Sequence, residues 1–184
     1  MKLDDAISKR HSVRRFVEKK PNWRTIIEAI DAASLAPSAG NIQTLKFILV
    51  DEKEKIEKIA EACQQDFVKD AHFLVVFCSD SSQAERMYDE RALRYVKQQA
   101  GAAIENFLLK LTELGLATCW IGAFVDDQVK DILKIPSNIE VEGIFPIGIE
   151  LGKVKQKTKK ELSGIMFFNN YGNKFMKKWI RSDT

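Results

Sequence analysis

A chain of 184 residues that is 45% hydrophobic and 30% charged can form one domain with a normal core. Its 29 basic and 26 acidic side chains leave a formal net charge of +3, too balanced for a nucleic-acid binder that works by bulk charge. No apolar run approaches the roughly 20 residues of a membrane-spanning helix, and the opening MKLDDAISKR lacks the apolar stretch of a secretory leader.

In chain order, residues 3–10 predict a short helix that runs into a basic loop, SKRHSVRRF (8–16). There Lys9, Arg10, His11, Arg14 and Arg15 crowd five potential cations together. Pro21 and Asn22 open a second helix, with Asn22 as its N-cap. Ile26, Ile27, Ile30 and Ala33 recur at helical spacing, and Pro37 ends the run. PSAGNIQ (37–43) is a loop by composition. LKFILV (45–50) predicts a buried strand, and residues 52–65 an exposed helix with Ile56, Ile59, Ala60 and Cys63 inward. HFLVVFCS (72–79) predicts a second strand, apolar enough to be covered on both faces. Residues 80–90 read as a loop or a loose helix start.

The strongest helix runs from about Arg91 to Leu114, on the stripe Ala100, Ala103, Ile104, Phe107, Leu108, Leu111 and Leu114. Gly115 is placed to stop it. ATCWIGAF (117–124) predicts a third strand and its exit, and Asp126 caps a short helix to Leu133. VEGIFPIGIEL (141–151) predicts a fourth strand. Pro146 inside it cannot donate to a ladder and marks an edge, a bulge or a break. After Gly152 comes a lysine-rich stretch, then a tail carrying Ile165, Met166, Phe167, Phe168, Tyr171, Phe175 and Trp179. So aromatic a tail must dock, either on its own domain or on a partner chain. No internal repeat or linker divides the chain.

Several kinds of chemistry are poorly supported. The three cysteines, Cys63, Cys78 and Cys119, are odd in number and widely spaced, which fits a reducing cytoplasm better than a disulfide framework. The two histidines, His11 and His72, stand in unrelated contexts, against a histidine-based metal site. GIELGK (148–153) lacks the spacing and the following Ser/Thr of a P-loop. No GxGxxG follows a strand, and no GxSxG elbow occurs.

Four stretches remain, each with a plainer alternative. The basic loop offers arginine forks and a Ser12 hydroxyl to a phosphate, but charge runs are usually solvated surface. Asn41 and Gln43 can read a heterocycle edge, because an amide both donates and accepts, or they can simply build a turn. Gly122 at a strand end lets a ring approach the backbone, or merely permits a turn. KTKKE (157–161) is a second phosphate clamp or ordinary solvated lysines.

Taken together, their order and spacing resemble the nitroreductase family of FMN-dependent flavoproteins, over nearly the whole chain. The matching residues are Arg10-His11-Ser12-Val13-Arg14, then Pro37, Ser38, Asn41 and Gln43. The segment AAIENFLLKLTELGLATCWIG (102–122) follows, then Lys157 and Lys159 ahead of Leu162 and Ile165. The resemblance implies an α+β fold with a central, mostly antiparallel sheet flanked by helices, in an intertwined homodimer with FMN at the interface. It implies one domain over 1–184, with residues 153–184 as an extension wrapping the partner.

By the same resemblance, Arg10, Ser12, Lys157 and Lys159 would hold the FMN phosphate and ribityl chain. His11 would lie along the ribityl or ring edge, and Arg14 near the pyrimidine side. Asn41 would reach the ring edge. Backbone amides near Ile121, Gly122 and Ala123 would address N5 and O4. Pro37 shapes the loop from which Ser38 and Gln43 would face the partner's flavin. The activity implied is ping-pong transfer from NADH or NADPH to nitroaromatics, quinones or flavins, with no side-chain acid, base or metal. The alternatives are an FMN-storage protein, or a flavin reductase or dehalogenase of the same fold. Nucleic acid and membrane partners are not expected. The sequence departs from the family at Thr44-Leu45, where proline and an aromatic are common, and at Lys159, where arginine is common. The chain is also at the short end of the family. The first and last of these suggest an open flavin face.

Overall fold

The most apolar run in the chain becomes the centre of its sheet. In the computed structural model, which describes residues 1–152 and 158–176, that run is strand β2 (Phe73–Ser79), and all of it is buried. It pairs antiparallel with β1 (Leu45–Val50) on one side and with β4 (Glu140–Gly148) on the other; β3 (Ala117–Thr118) closes the order β1-β2-β4-β3.

Strand alternation sends successive side chains into two helical layers. Phe73, Val75 and Phe77 of β2, with Phe145 and Ile147 of β4, pack on α2 (Trp23–Ser34) and α5 (Ala92–Glu113). Leu74, Val76 and Cys78, with Ile144, pack on α3 (Lys53–Cys63) and α6 (Asp126–Leu133). This is the expected α+β arrangement, an antiparallel sheet with helices on both faces, and both faces of β2 are covered as its composition requires.

The short α1 (Leu3–Lys9) lies against α5. In α2 the Asn22 side chain accepts the Arg24 N–H (3.0 Å), so the predicted cap is present. The predicted stripe needs one correction: Ile27 is exposed, and Ala29 takes the inward position. The helix stops at Ser34 rather than running up to Pro37, because proline keeps Ala36 out of the helical region.

Of the two readings of residues 80–90, loop or helix start, the helical one holds. These residues form α4 (Ser82–Tyr88) and the first part of a 3-10 turn, Asp89–Arg91. Only Ala84 of α4 is fully buried, so its apolar period was too thin to read. Strand β3 is shorter than 117–124, and Asp126 does not cap α6. Val125 is the N-cap residue, and Asp126 and Asp127 sit in the first turn, where the helix dipole favours them.

Pro146 lies within β4, opposite Leu74. On the other side of β4, the pairs Thr118–Ile147 and Ile121–Ile144 leave residues 119 and 120 outside the ladder. The missing proline N–H falls in that gap. The bulge is elsewhere, where Phe77 pairs with Gly143 but Cys78 pairs with Val141, so that Glu142 is the extra residue. The Glu142 carboxylate is 6% exposed and takes the Lys97 ammonium from α5 at 2.9 and 3.0 Å, together with the Ser79 hydroxyl.

Gly148 ends β4 beneath an aromatic ring. A Cβ there would fall on the Phe16 ring and within 2.8 Å of the Phe16 Cβ. Gly148→Ala should therefore cost about 1–3 kcal/mol of stability, the usual range for overpacking. Urea unfolding measures it, and an unchanged midpoint would show that Phe16 moves aside freely.

The chain forms two compact units, Met1–Lys153 and Val154–Thr184. The second contains α7 (Leu162–Ile165) and a tight turn. In that turn Phe168 N–H bonds the Asn173 carbonyl (2.8 Å) and the Asn173 amide returns to the Phe168 carbonyl (2.9 Å). Phe167 packs on Tyr171 with ring centroids 4.7 Å apart. Trp179, Lys153, Lys155 and Lys157 lie outside the described residues.

Candidate functional site

The basic loop is an extended segment pegged at two apolar residues. Val13 and Phe16 are buried, while Ser12, Arg14 and Arg15 are exposed. Backbone bonds tie the segment to the sheet edge: Val13 N–H to Thr118 O, Val17 N–H to Ile149 O, and Leu151 N–H to Arg15 O, each 2.9 Å. The cations are thus displayed on a fixed backbone rather than on a free loop. Arg10 is partly buried, with Nε 3.6 Å from the Glu105 carboxylate of α5. The Arg14 guanidinium reaches over the Phe67 ring at 5.9 Å.

His11 is held at both ring nitrogens. Nδ1 is 2.7 Å from the Lys9 carbonyl oxygen, and Nε2 is 2.9 Å from Oε1 of Glu150, just beyond β4. Its pKa is raised above the ordinary 6.5, chiefly by the Lys9 carbonyl, with Glu150 adding to it against burial and Arg10.

The 37–43 loop stands on the opposite edge, leading into β1. Its 3-10 turn Ala39–Asn41 has Gly40 and Asn41 both at φ 57°, a left-handed region that these two residue types tolerate. A Cβ on Gly40 would overlap the Tyr88 hydroxyl, so α4 packs directly on this turn. Pro37, Asn41 and Gln43 are exposed, Ser38 is half-buried, and Gln43 Nε2 approaches Asn41 Oδ1 at 3.5 Å. Thr44 has turned into the core, 3% exposed, and donates to the buried Gln99 Oε1 at 2.7 Å. Its hydroxyl is therefore committed to the core. Between this loop and α5 lies a cleft of about 270 Å³, lined by Pro37, Ser38, Ala39, Tyr95, Gln98 and Gln99 among others.

The 121–123 turn follows β3 on the same sheet edge as the basic loop. Ile121 is buried and exchanges both backbone hydrogen bonds with Ile144, each 3.0 Å. Its N–H is thus already used. Gly122 and Ala123 are exposed, and neither N–H has a backbone partner among the described residues. A Cβ on Gly122 would meet nothing within 4 Å, so the space over this backbone is open. Lys159 is exposed and belongs to the second unit; Lys157 lies outside the described residues.

The structure thus gathers Arg10, His11, Ser12 and Arg14 with Gly122 and Ala123 on one edge, and sets Pro37, Ser38, Asn41 and Gln43 on the other. The partners missed from sequence are Glu105, Glu150, Gln99 and Tyr88. Among the described residues no group of three acidic, histidine or cysteine side chains is placed to hold a metal ion. No described helix is long and apolar enough to cross a membrane. Burial pushes the Cys63 and Cys78 thiols up to about 11, so neither is a ready nucleophile.

The donor set fits FMN in kind: guanidinium groups and a hydroxyl for a phosphate, free backbone N–H groups for a ring heteroatom, and room above Gly122 for a flat ring. The family model described as the nitroreductase family matches residues 7–67 and 61–149. A relative in Archaeoglobus fulgidus, provisionally named NADH dehydrogenase/NAD(P)H nitroreductase, is 31% identical over 144 residues, 76% of this chain and 80% of that one. An iodotyrosine deiodinase of Thermotoga neapolitana is 25% identical over 162 residues, 79% of this chain and 87% of its own. The solved FMN-dependent nitroreductase of Clostridium difficile R20291 is 26% identical, covers 91% of this chain and 99% of its own, and superposes with a TM-score of 0.78.

Proposed function

The chain belongs to the nitroreductase family, and on that footing we propose that it is an FMN-dependent oxidoreductase. It passes electrons from NADH or NADPH to nitroaromatic, quinone or flavin acceptors by a ping-pong sequence. The observation that carries this reading is the basic loop held extended beside the open Gly122–Ala123 backbone, on one edge of the sheet.

FMN, when bound, supplies hydride transfer at its N5. The protein's part is to bind and orient. Arg10 and Ser12 grip the phosphate, with Lys157 and Lys159 as further cations. Lys159 supplies a point charge where a bidentate fork is common, so it holds the phosphate less firmly. Arg14 and Asn41 take the ring edges. The Gly122 and Ala123 N–H groups, preorganised by the Ile121–Ile144 pair, donate where negative charge develops. No side chain acts as acid or base: His11 is committed to Glu150, and substrate protons come from water.

A homodimer completes the site. The two motif groups stand on opposite edge strands, which suits a cofactor shared between two chains, with Ser38 and Gln43 reaching the partner's flavin. Met1, Leu3 and Ile7 of the N-terminal segment and Leu35 after α2 are more than half exposed, an apolar surface suited to a second copy.

The purified protein should be yellow and should oxidise NAD(P)H when a quinone is added. A colourless preparation that FMN does not reconstitute would end the reading, and bound FMN with negligible turnover would mark a storage protein. Reductive dehalogenation is a second reading, favoured by the deiodinase relative. An acceptor panel that includes a halotyrosine separates the two.

Arg10→Ala should weaken FMN by about 1.5–3 kcal/mol, the worth of a hydrogen bond to a charged group. Riboflavin, which has no phosphate, should be nearly unaffected. Equal losses for both ligands would show that Arg10 does not touch the phosphate.

A further inference from the structure

The two acceptors on His11 fix its charge. The Lys9 carbonyl can only accept a hydrogen bond, and so can an ionised Glu150 carboxylate. For both contacts to be hydrogen bonds, both ring nitrogens must carry protons, or Glu150 must hold the proton itself. Imidazole is a stronger base than a carboxylate, so the proton resides on the ring.

We infer that Glu150 is a positioning residue: it holds His11 as an imidazolium and so locks the cationic loop against the sheet, which ties the loop's grip on a phosphate to pH. This rests on the reading of the loop as the FMN phosphate site.

Glu150 is placed for this by the backbone. It bridges Phe16 across the sheet edge, and its side chain is about one-quarter exposed, at 27%. The lock spans residues 139 apart in sequence, at the point where the loop leaves α1. The charged groups around His11 are few. Lys9 and Arg10 flank it at the end of α1, Glu150 faces it from beyond β4, and α5 contributes Glu105, which faces Arg10. Arg10 opposes the charge and Glu150 favours it. The sign follows from the direction of the shift. A histidine whose pKa is raised on folding contributes fully below its ordinary 6.5, and that contribution is lost as pH rises through the raised value. The loop should therefore loosen on the alkaline side. Acid effects are a separate matter, because a phosphate monoester itself titrates near about 6.

Nitrogen-15 NMR of the imidazole rings in the full chain tests the pair directly, since His72 is the only other histidine. FMN and riboflavin binding are titrated by fluorescence alongside it, from about pH 6.5 to about pH 9. The natural chain should show both His11 nitrogens protonated at neutral pH and a titration above the ordinary value. Glu150→Gln should lower that titration, and Glu150→Asp should restore part of it. FMN affinity should fall about three- to tenfold as His11 loses its charge, the effect of one partly screened charge at loop distances. The fall should come at lower pH in Glu150→Gln and vanish in His11→Gln. A neutral His11 at neutral pH, or the same titration in the natural and Glu150→Gln chains, would overturn the pair. FMN and riboflavin binding alike at every pH would overturn the phosphate reading beneath it.

Discussion

Phe77→Ala should lower the free energy of unfolding by about 3–5 kcal/mol, the range for emptying a large aromatic site in a core. Phe77 is 0% exposed at the middle of the central strand. Its ring meets Phe47 of β1 at 4.7 Å, Phe107 of α5 at 5.1 Å and Phe145 of β4 at 5.0 Å between centroids. Three elements therefore lose packing at once. Collapse into the cavity is restricted, because β1 and β4 are both fixed by ladders to the strand that carries the substitution. Urea unfolding of the natural and substituted chains measures the loss. A loss under about 1 kcal/mol would show that the neighbouring rings repack into the space.

The same ring explains why most of the fold was legible in the sequence. An unbroken apolar run can only be a strand covered on both faces or a buried helix segment, and its length decided for a strand. The stripe on α5 is wide because the helix meets both β2 and α2. The elements left open or read too long are those whose burial is thin. α4 buries Ala84 alone, and β3 pairs at only two residues before Cys119 and Trp120 leave the ladder. Ile27 was misassigned because helical spacing admits two neighbouring stripes. The choice between Ile27 and Ala29 depends on what α2 packs against, which no local pattern encodes.

The candidate site divides in the same way. Its cations, amides and glycine were readable because chemistry and order along the chain identify them. Their partners were not. Glu150 meets His11 across 139 residues and Gln99 meets Thr44 across 55, so neither pair has a local period. The Gln99 contact also changes what Thr44 means. Where the chain departs from the family motif, the fold makes a buried hydrogen bond joining β1's entry to α5.

If the chain works as the proposed homodimer, a chain ending at Lys160 should lose both the dimer and its FMN. The segment removed contains five well-exposed large apolar side chains, among them the two most exposed of the described residues: Tyr171 is 95% exposed, Phe175 81%, Met176 73%, Leu162 66% and Ile165 57%. Its turn is stabilised from within, by the Phe168–Asn173 bonds and the Lys174 ammonium 4.3 Å from the Phe167 ring centroid. A preformed turn that displays apolar side chains loses less conformational entropy on docking than a loose tail would. Covering five such side chains is worth up to roughly 8–15 kcal/mol, before the costs of association, against about 12 kcal/mol for a nanomolar complex. Removing it should therefore take the dimer from tight to weak. On the proposed reading, in which Ser38 and Gln43 act from the second copy, the shared cofactor site should empty with it. Sedimentation and bound-flavin absorbance, compared with the full chain, decide the matter. A truncated protein that sediments as a stable dimer with FMN in place would refute the role given to the tail. A full chain that is itself monomeric would show that the tail covers its own domain instead.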